Sequence, residues 1–153
     1  QSNKSRAATE LFHAVDSVDS PRLLERLNSM AKELGKRVPV LIEINIGGEQ
    51  AKSGVAPDSP ELEQMLRAAP SCESLEIRGL MTVPPYGEDP EQSRPFFREM
   101  RRLHAQIAKR NLPGLRMATL SMGMSHDFEV AIEEGSTCVT STANGAFTRS
   151  GEI

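Results

Sequence analysis

VLIEINIGG, residues 40–48, is the clearest strand signal in the chain. The segment is short and rich in β-branched residues, and Gly47 and Gly48 close it. Residues 40–42 form a continuous apolar run, which is typical of a strand covered on both faces, as in parallel sheets. The stretch therefore predicts a buried parallel strand.

Helix signals flank this strand on both sides. Ser20-Pro21 and Ser59-Pro60 each place a serine N-cap before a proline at the first helical position, and Gly35 suits the left-handed residue after a helix end. Further strands are predicted at residues 14–18, 75–83, 117–122 and from residue 137, with a partial helix at residues 5–12. A longer helix carries an apolar stripe at Phe96, Met100, Leu103 and Ile107.

The order of these segments predicts an α/β fold of about five β/α units. Strands that alternate with helices form parallel sheets through right-handed crossovers. The pattern fits both an open doubly wound sheet and part of a closed (β/α)8 barrel. A complete barrel usually needs about 250 residues, whereas the chain has 153.

Composition argues against several classes of partner. The 18 basic and 21 acidic residues give a formal charge of −3, unlike a nucleic-acid binder that neutralises phosphates. No stretch approaches the roughly 20 apolar residues of a membrane span, and the N-terminal residues do not resemble a signal peptide. Cys72 and Cys138 lack metal-ligand spacing, so we expect reduced thiols in a cytoplasmic protein without a metal site.

The most informative strand end is SMGMS, residues 121–125, because α/β folds bind ligands at the C-terminal ends of their strands. Ser121 lies near the strand end, Gly123 permits close backbone approach, and Ser125 is predicted to cap the next helix. Two hydroxyls, free amides and a positive helix end would form an anion cradle. An ordinary βα turn with a serine N-cap fits these residues as well.

Other polar groups favour structural interpretations. His126 and Asp127 are adjacent, so their side chains point in different directions on a helix, and a first-turn role is expected. Arg98, Arg101 and Arg102 are expected to form a solvated helix face. No predicted apolar strand contains a lysine, where burial would prepare the amine for attack on a carbonyl.

LSMGMSHDFE, residues 120–129, is similar to the L-S-M-G-M-S-x-D-x-E signature of the pyridoxal-phosphate homeostasis protein family. Residues 1–6 resemble that family's Q-x-N-K segment, and residues 40–54 resemble its fifth strand and the loop that carries an Asn and a K-x-G sequence, here Asn45 and Lys52 to Gly54. Residues 78–81 match its R-G-L-M motif. The resemblance extends from residue 1 to residue 139.

The resemblance implies an alanine-racemase-like (β/α)8 barrel that holds pyridoxal 5′-phosphate (PLP), present here as one incomplete domain over residues 1–153. Proteins of this family bind and deliver the cofactor, so no enzymatic activity is expected. In the family the phosphate lies near the L-S-M-G-M-S turn and the last strand. This carries onto Ser121, Gly123, Met124 and Ser125.

Two departures from the family pattern limit the expected chemistry. The family's cofactor-linking lysine lies on its first strand, upstream of the Q-x-N-K segment, so we expect this sequence to lack it together with the first three strands. The family's last strand reads approximately V-R-I-G-T, and in direct register Thr140 replaces its arginine and Thr142 its glycine. The hydroxyls of Thr140, Ser141 and Thr142 are the remaining candidates for contact with the phosphate, and Thr140 and Thr142 are the residues we select.

Three functional hypotheses follow. The leading one is a PLP-binding protein of intracellular PLP homeostasis that holds the phosphate at residues 121–125. A second is a structural remnant that binds no cofactor and needs a partner, or self-association through an open barrel edge, to complete the fold. A PLP-dependent racemase-like enzyme is less favoured, because no strand lysine is available.

Overall fold

The computed structural model describes residues 14–49, 52–143 and 146–150, and the predicted partial helix at residues 5–12 lies outside them. Each of the first four predicted strands is followed by a helix before the next strand begins. The strands are β1 Val15–Val18, β2 Val38–Glu43, β3 Leu75–Met81, β4 Leu115–Ser121, β5 Val139–Ala143 and β6 Ala146–Ser150. The helices are α1 Pro21–Glu33, α2 Pro60–Ala68, α3 Arg94–Lys109 and α4 Phe128–Glu133.

Strands β1 to β4 form one parallel sheet in the order of the sequence. A single cluster of buried apolar side chains joins helices α1 to α4 to one face of this sheet, to which Val40, Ile42 and Leu80 contribute. Leu41 is also buried but lies outside that cluster, since neighbouring strand residues point to opposite faces. A helical layer on one face is the arrangement of a β/α barrel, whereas a doubly wound sheet has helices on both faces.

The segment before β5 extends the sheet by one more parallel contact. Cys138 pairs with Ser121, and the Met122 amide donates to the Cys138 carbonyl at 3.1 Å. From Val139 the chain turns into an antiparallel hairpin, β5–β6, in which Thr142 pairs with Phe147. The predicted final strand therefore begins beside β4 and continues as half of a hairpin.

The two predicted serine–proline caps are confirmed. The Ser20 hydroxyl accepts the Leu23 amide at 3.3 Å, and the Ser59 hydroxyl accepts the Leu62 amide at 3.2 Å. The predicted stripe of α3 was wrong at one position. Phe97 is fully buried and Phe96 only partly, because the helix faces the sheet one residue later than the pattern indicated. In the described residues, no helix has the length and apolarity needed to cross a membrane.

Candidate functional site

The candidate site is the turn that follows β4 at the C-terminal end of the sheet. Ser121 ends the strand and is 2% exposed, and Gly123 is also buried. Met124 is half-buried and Ser125 is exposed. The turn therefore runs from the interior of the fold to its surface within five residues.

Asp127 organises this turn from within. Its buried carboxylate accepts the Met124 amide at 2.7 Å, and its own amide donates to the Met124 carbonyl at 3.1 Å. Asp127 is also the N-cap residue of α4, so the prediction that Ser125 caps this helix was wrong. The reason is local: residues 125–127 form a closed turn, and helical geometry begins only at Phe128. Sequence reasoning assigned Asp127 only a dipole interaction and missed this bond.

Gly123 is required for a different reason from the one the sequence suggested. Its φ is +96°, a conformation that side-chain-bearing residues rarely adopt. A Cβ at this position would lie 2.5 Å from the Ala131 Cβ and 3.3 Å from the Phe128 Cα. The missing side chain thus lets the turn pack closely against α4.

Thr140 lies directly beside the turn. Its amide donates to the Gly123 carbonyl at 2.9 Å, so the start of β5 is attached to the middle of the candidate site. The structure brings together five candidate residues, which are Ser121, Gly123, Met124, Ser125 and Thr140. Thr142 follows on the same strand, but its side chain lies outside the described residues.

The donor groups of this turn suit a phosphate. Within the described part of the chain, no hydrogen bond engages the amides of Gly123 and Ser125, whereas the Met124 amide is held by Asp127. Ser121 and Ser125 add hydroxyl groups. Backbone amides and hydroxyls are common phosphate ligands, so the residues present fit the phosphate of PLP.

Described residues of the loop after β2 form hydrogen bonds and an ion pair next to this end of the sheet. The Asn45 side-chain amide donates to the Glu49 carbonyl at 2.8 Å. Lys52 forms an ion pair with Glu49 at 2.5 Å, and its Nζ donates to the Pro84 carbonyl at 3.3 Å. The lysine of this loop therefore connects it to the segment that follows β3.

Glu43, at the end of β2, is a buried carboxyl group that sequence reasoning did not single out. It is 9% exposed and accepts the Ser53 hydroxyl at 2.5 Å. Burial raises the pKa of Glu43, while the Ser53 hydrogen bond opposes the rise and the negative charge of Asp19 adds to it. Its signal in the sequence was a single acidic residue within an apolar run.

Arg98, Arg101 and Arg102 of α3 are exposed, as predicted, but the first two converge on a buried carboxylate. Arg98 contacts Glu134 at 3.0 Å and Arg101 contacts it at 3.4 Å, while Arg94 adds a bond of 2.9 Å. The Glu134 side chain is only 5% exposed. These hydrogen bonds, that of Arg94 above all, lower the pKa of Glu134. The cluster therefore joins α3 to the end of α4.

Comparisons with known proteins indicate the same family as the sequence motifs. The profile of the alanine racemase N-terminal domain family matches residues 2–140. A pyridoxal phosphate homeostasis protein of Aquifex aeolicus is 39% identical over 139 residues, which cover 91% of the chain and 59% of that protein. The human protein of the same name is 37% identical over 141 residues, which cover 90% of the chain and 50% of the relative.

Solved structures extend the comparison to the fold. PipY of Synechococcus elongatus, solved with PLP bound, matches with a TM-score of 0.79 and 34% identity over 92% of this chain and 64% of PipY. An alanine racemase of Clostridium difficile, at a TM-score of 0.65 and 14% identity, shares the fold alone.

The chain spans less than two thirds of the length of the curated relatives it matches. The predicted resemblance and the predicted partial barrel are both confirmed. The chain belongs to the alanine racemase N-terminal domain family.

Proposed function

We propose that this chain binds PLP through the cofactor's phosphate at residues 121–125 and serves PLP homeostasis without catalytic turnover. One observation carries the proposal: the turn after β4 presents unengaged amides at Gly123 and Ser125 in a chain similar to the PLP-bound PipY. The proposal treats residues 1–153 as one PLP-binding domain.

The candidate residues would contribute to phosphate binding in different ways. The hydroxyls of Ser121 and Ser125 and the amides of Gly123 and Ser125 would hold the phosphate. Thr140, attached to Gly123, would close the site from β5, with Thr142 as a further candidate. Met124 contributes indirectly, because its amide is bound to Asp127 and fixes the shape of the turn.

Binding without turnover fits the lysines of the described residues. None of the described strands contains a lysine, and the Nζ of Lys52 is held by Glu49 and Pro84. When bound, PLP would supply an aldehyde that reacts reversibly with amines. The affinity proposed here comes from the phosphate contacts, which require no covalent bond to the protein.

The proposed setting is the cytoplasm, with PLP as the ligand and no nucleic-acid partner. Cys72 and Cys138 are buried free thiols, as expected in a reducing compartment. The net charge of −3 offers no general attraction for a polyanion.

Equilibrium dialysis tests the proposal with PLP, with pyridoxal (which lacks the phosphate) and with inorganic phosphate as competitor. We expect retention of PLP, little retention of pyridoxal, and displacement of PLP by phosphate. Ser125→Ala should weaken PLP binding by about tenfold, since a hydrogen bond to a charged group contributes roughly 1.5 kcal/mol or more. Ser29→Ala is the matched control, because Ser29 is an exposed serine on α1 that bonds only the Glu25 carbonyl among the described residues.

Equal retention of PLP and pyridoxal would contradict the phosphate site. Absence of PLP binding together with a mass that rises with protein concentration would favour the structural alternative, in which the chain associates through its open edge. Sedimentation equilibrium at several concentrations, with and without PLP, separates the two outcomes.

A further inference from the structure

The loops that follow β2, β3 and β4 contact one another at the C-terminal end of the sheet. A Cβ on Gly47 would lie 2.5 Å from the Pro85 Cγ, so the first two loops are in close contact. Lys52 reaches the Pro84 carbonyl across the same boundary. The second and third loops are joined by His126, whose Nε2 lies 3.0 Å from the Gly87 carbonyl oxygen.

His126 makes a second contact with the loop after β3. Its ring centroid lies 5.4 Å from that of Tyr86, with the ring planes inclined by 35°. Tyr86 is 80% exposed, so this contact buries little of the tyrosine and is not part of the core. Two adjacent residues, Tyr86 and Gly87, thus hold one side chain of the candidate turn.

His126 is adjacent in sequence to the proposed phosphate site, so its contacts bear on the position of that site. It stands between Ser125, whose hydroxyl and amide belong to the proposed phosphate site, and Asp127, which fixes the turn internally. The Asp127 bond shapes the turn but does not attach it to the neighbouring loop. The side chain of His126 makes both a hydrogen bond and a ring contact with the loop after β3.

We infer that His126 is a positioning residue that holds the phosphate-binding turn in place by donating from Nε2 to Gly87 and packing against Tyr86. The inference rests on the proposed function and deepens it. A turn that is ordered before the ligand arrives loses less conformational entropy on binding, and this raises affinity. Protonation of the imidazole leaves the Nε2–H in place, so the hydrogen bond does not require one charge state.

Three variants test the inference. His126→Ala removes both contacts, His126→Gln keeps a side-chain donor for the Gly87 carbonyl, and Tyr86→Ala removes only the ring contact. The unliganded protein is followed by hydrogen exchange at the amides of Met124 and Asp127, which are hydrogen-bonded within the turn, and PLP binding is followed by equilibrium dialysis. Ser29→Ala serves again as the control for an exposed substitution.

We expect His126→Ala to accelerate exchange at Met124, whose amide is bonded to Asp127, and to weaken PLP binding by roughly fivefold, the effect of disordering one or two groups. His126→Gln should restore much of the slow exchange and much of the PLP affinity. The effects of Tyr86→Ala on both quantities should lie between those of His126→Gln and the wild type. Unchanged exchange in His126→Ala would overturn the inference, as would faster exchange with unchanged PLP affinity. If the wild type binds no PLP, the proposed function fails, while the exchange data still decide whether His126 orders the turn.

Discussion

At the scale of single residues, Gly123 combines a left-handed backbone with a close contact. Its φ is +96°, and a Cβ would lie 2.5 Å from that of Ala131. Gly48 has a similar backbone, with φ of +66°, but no atom lies within 4 Å of its would-be Cβ. Substitutions at these two glycines therefore distinguish the free-energy cost of the left-handed backbone from that of the close contact with Ala131.

We predict that Gly123→Ala lowers the free energy of unfolding by about 2–4 kcal/mol, as backbone strain and overpacking add. Gly48→Ala should cost only about 1 kcal/mol, from the backbone alone. Urea denaturation followed by circular dichroism measures both. Equal losses in the two variants would show that α4 yields to the added methyl group.

Glu43 gives a second prediction at this scale, with a definite sign. Its pKa is raised by burial, so between the ordinary value near 4.5 and the raised value the folded chain binds more protons than the unfolded chain. The free energy of unfolding therefore falls as pH rises through that window. Glu43→Gln is neutral throughout and keeps an oxygen for the Ser53 hydroxyl.

We expect the stability of Glu43→Gln, relative to the wild type, to improve as pH rises from 4 to 8. Urea midpoints at several pH values measure this difference. Glu73→Gln is the control for the loss of one carboxylate, because Glu73 is exposed and lies outside the strands. If the stability of Glu43→Gln relative to the wild type declined with rising pH, the folded protein would stabilise the charged form of Glu43 rather than the neutral form.

At the scale of elements, α3 and α4 are held together by Glu134 and three arginines. Glu99 offers a comparison, because it pairs with Arg102 three residues away on the same helix and joins no second element. We predict that Glu134→Gln lowers the thermal midpoint clearly more than Glu99→Gln does, since the first change leaves Arg94, Arg98 and Arg101 without their shared carboxylate. Differential scanning calorimetry measures both, and equal shifts would contradict a joining role for Glu134.

The helix caps show which structural features a local sequence pattern can predict. Ser20 and Ser59 were recognisable as caps because a serine–proline pair and the following apolar spacing all lie within one turn of helix. Ser125 stood in a similar position, yet Asp127 is the cap residue there. The difference arises because residues 125–127 form a turn and helical geometry begins only at Phe128, and residue spacing does not specify that.

Longer-range features were less accessible from the sequence. The alternation of strands and helices predicted the parallel sheet, because one βα unit follows another along the chain. The one-sided helical layer and the attachment of Thr140 to Gly123 depend on contacts between residues far apart in sequence. The same holds for Glu134, whose arginine partners lie more than thirty residues earlier, at Arg94 and Arg98.

At the scale of the whole molecule, carboxylates with lowered pKa outnumber those with a raised one among the described residues. Arginine partners lower the pKa of Glu63, Glu76, Glu91, Glu99 and Glu134. That of Glu63 falls to about 2 through its bonds with Arg110 and Arg67. Glu43 is the opposing case. The ion pairs therefore act together as a stabilising term that depends on pH.

The sign of that term leads to a prediction for the intact chain. A carboxylate whose folded pKa is lowered contributes stability above its unfolded pKa and loses it as pH falls through the folded value. The urea midpoint should therefore fall from about pH 4.5 toward pH 2, the range bounded by the ordinary and the Glu63 values. High salt should flatten the fall, because most of these pairs are exposed and screened. Glu134→Gln should reduce its size, whereas Glu43→Gln should leave it nearly unchanged, because the raised pKa of Glu43 places its pH dependence above about pH 4.5. A midpoint that stays constant over this range would mean that the arginine pairs persist in the unfolded chain.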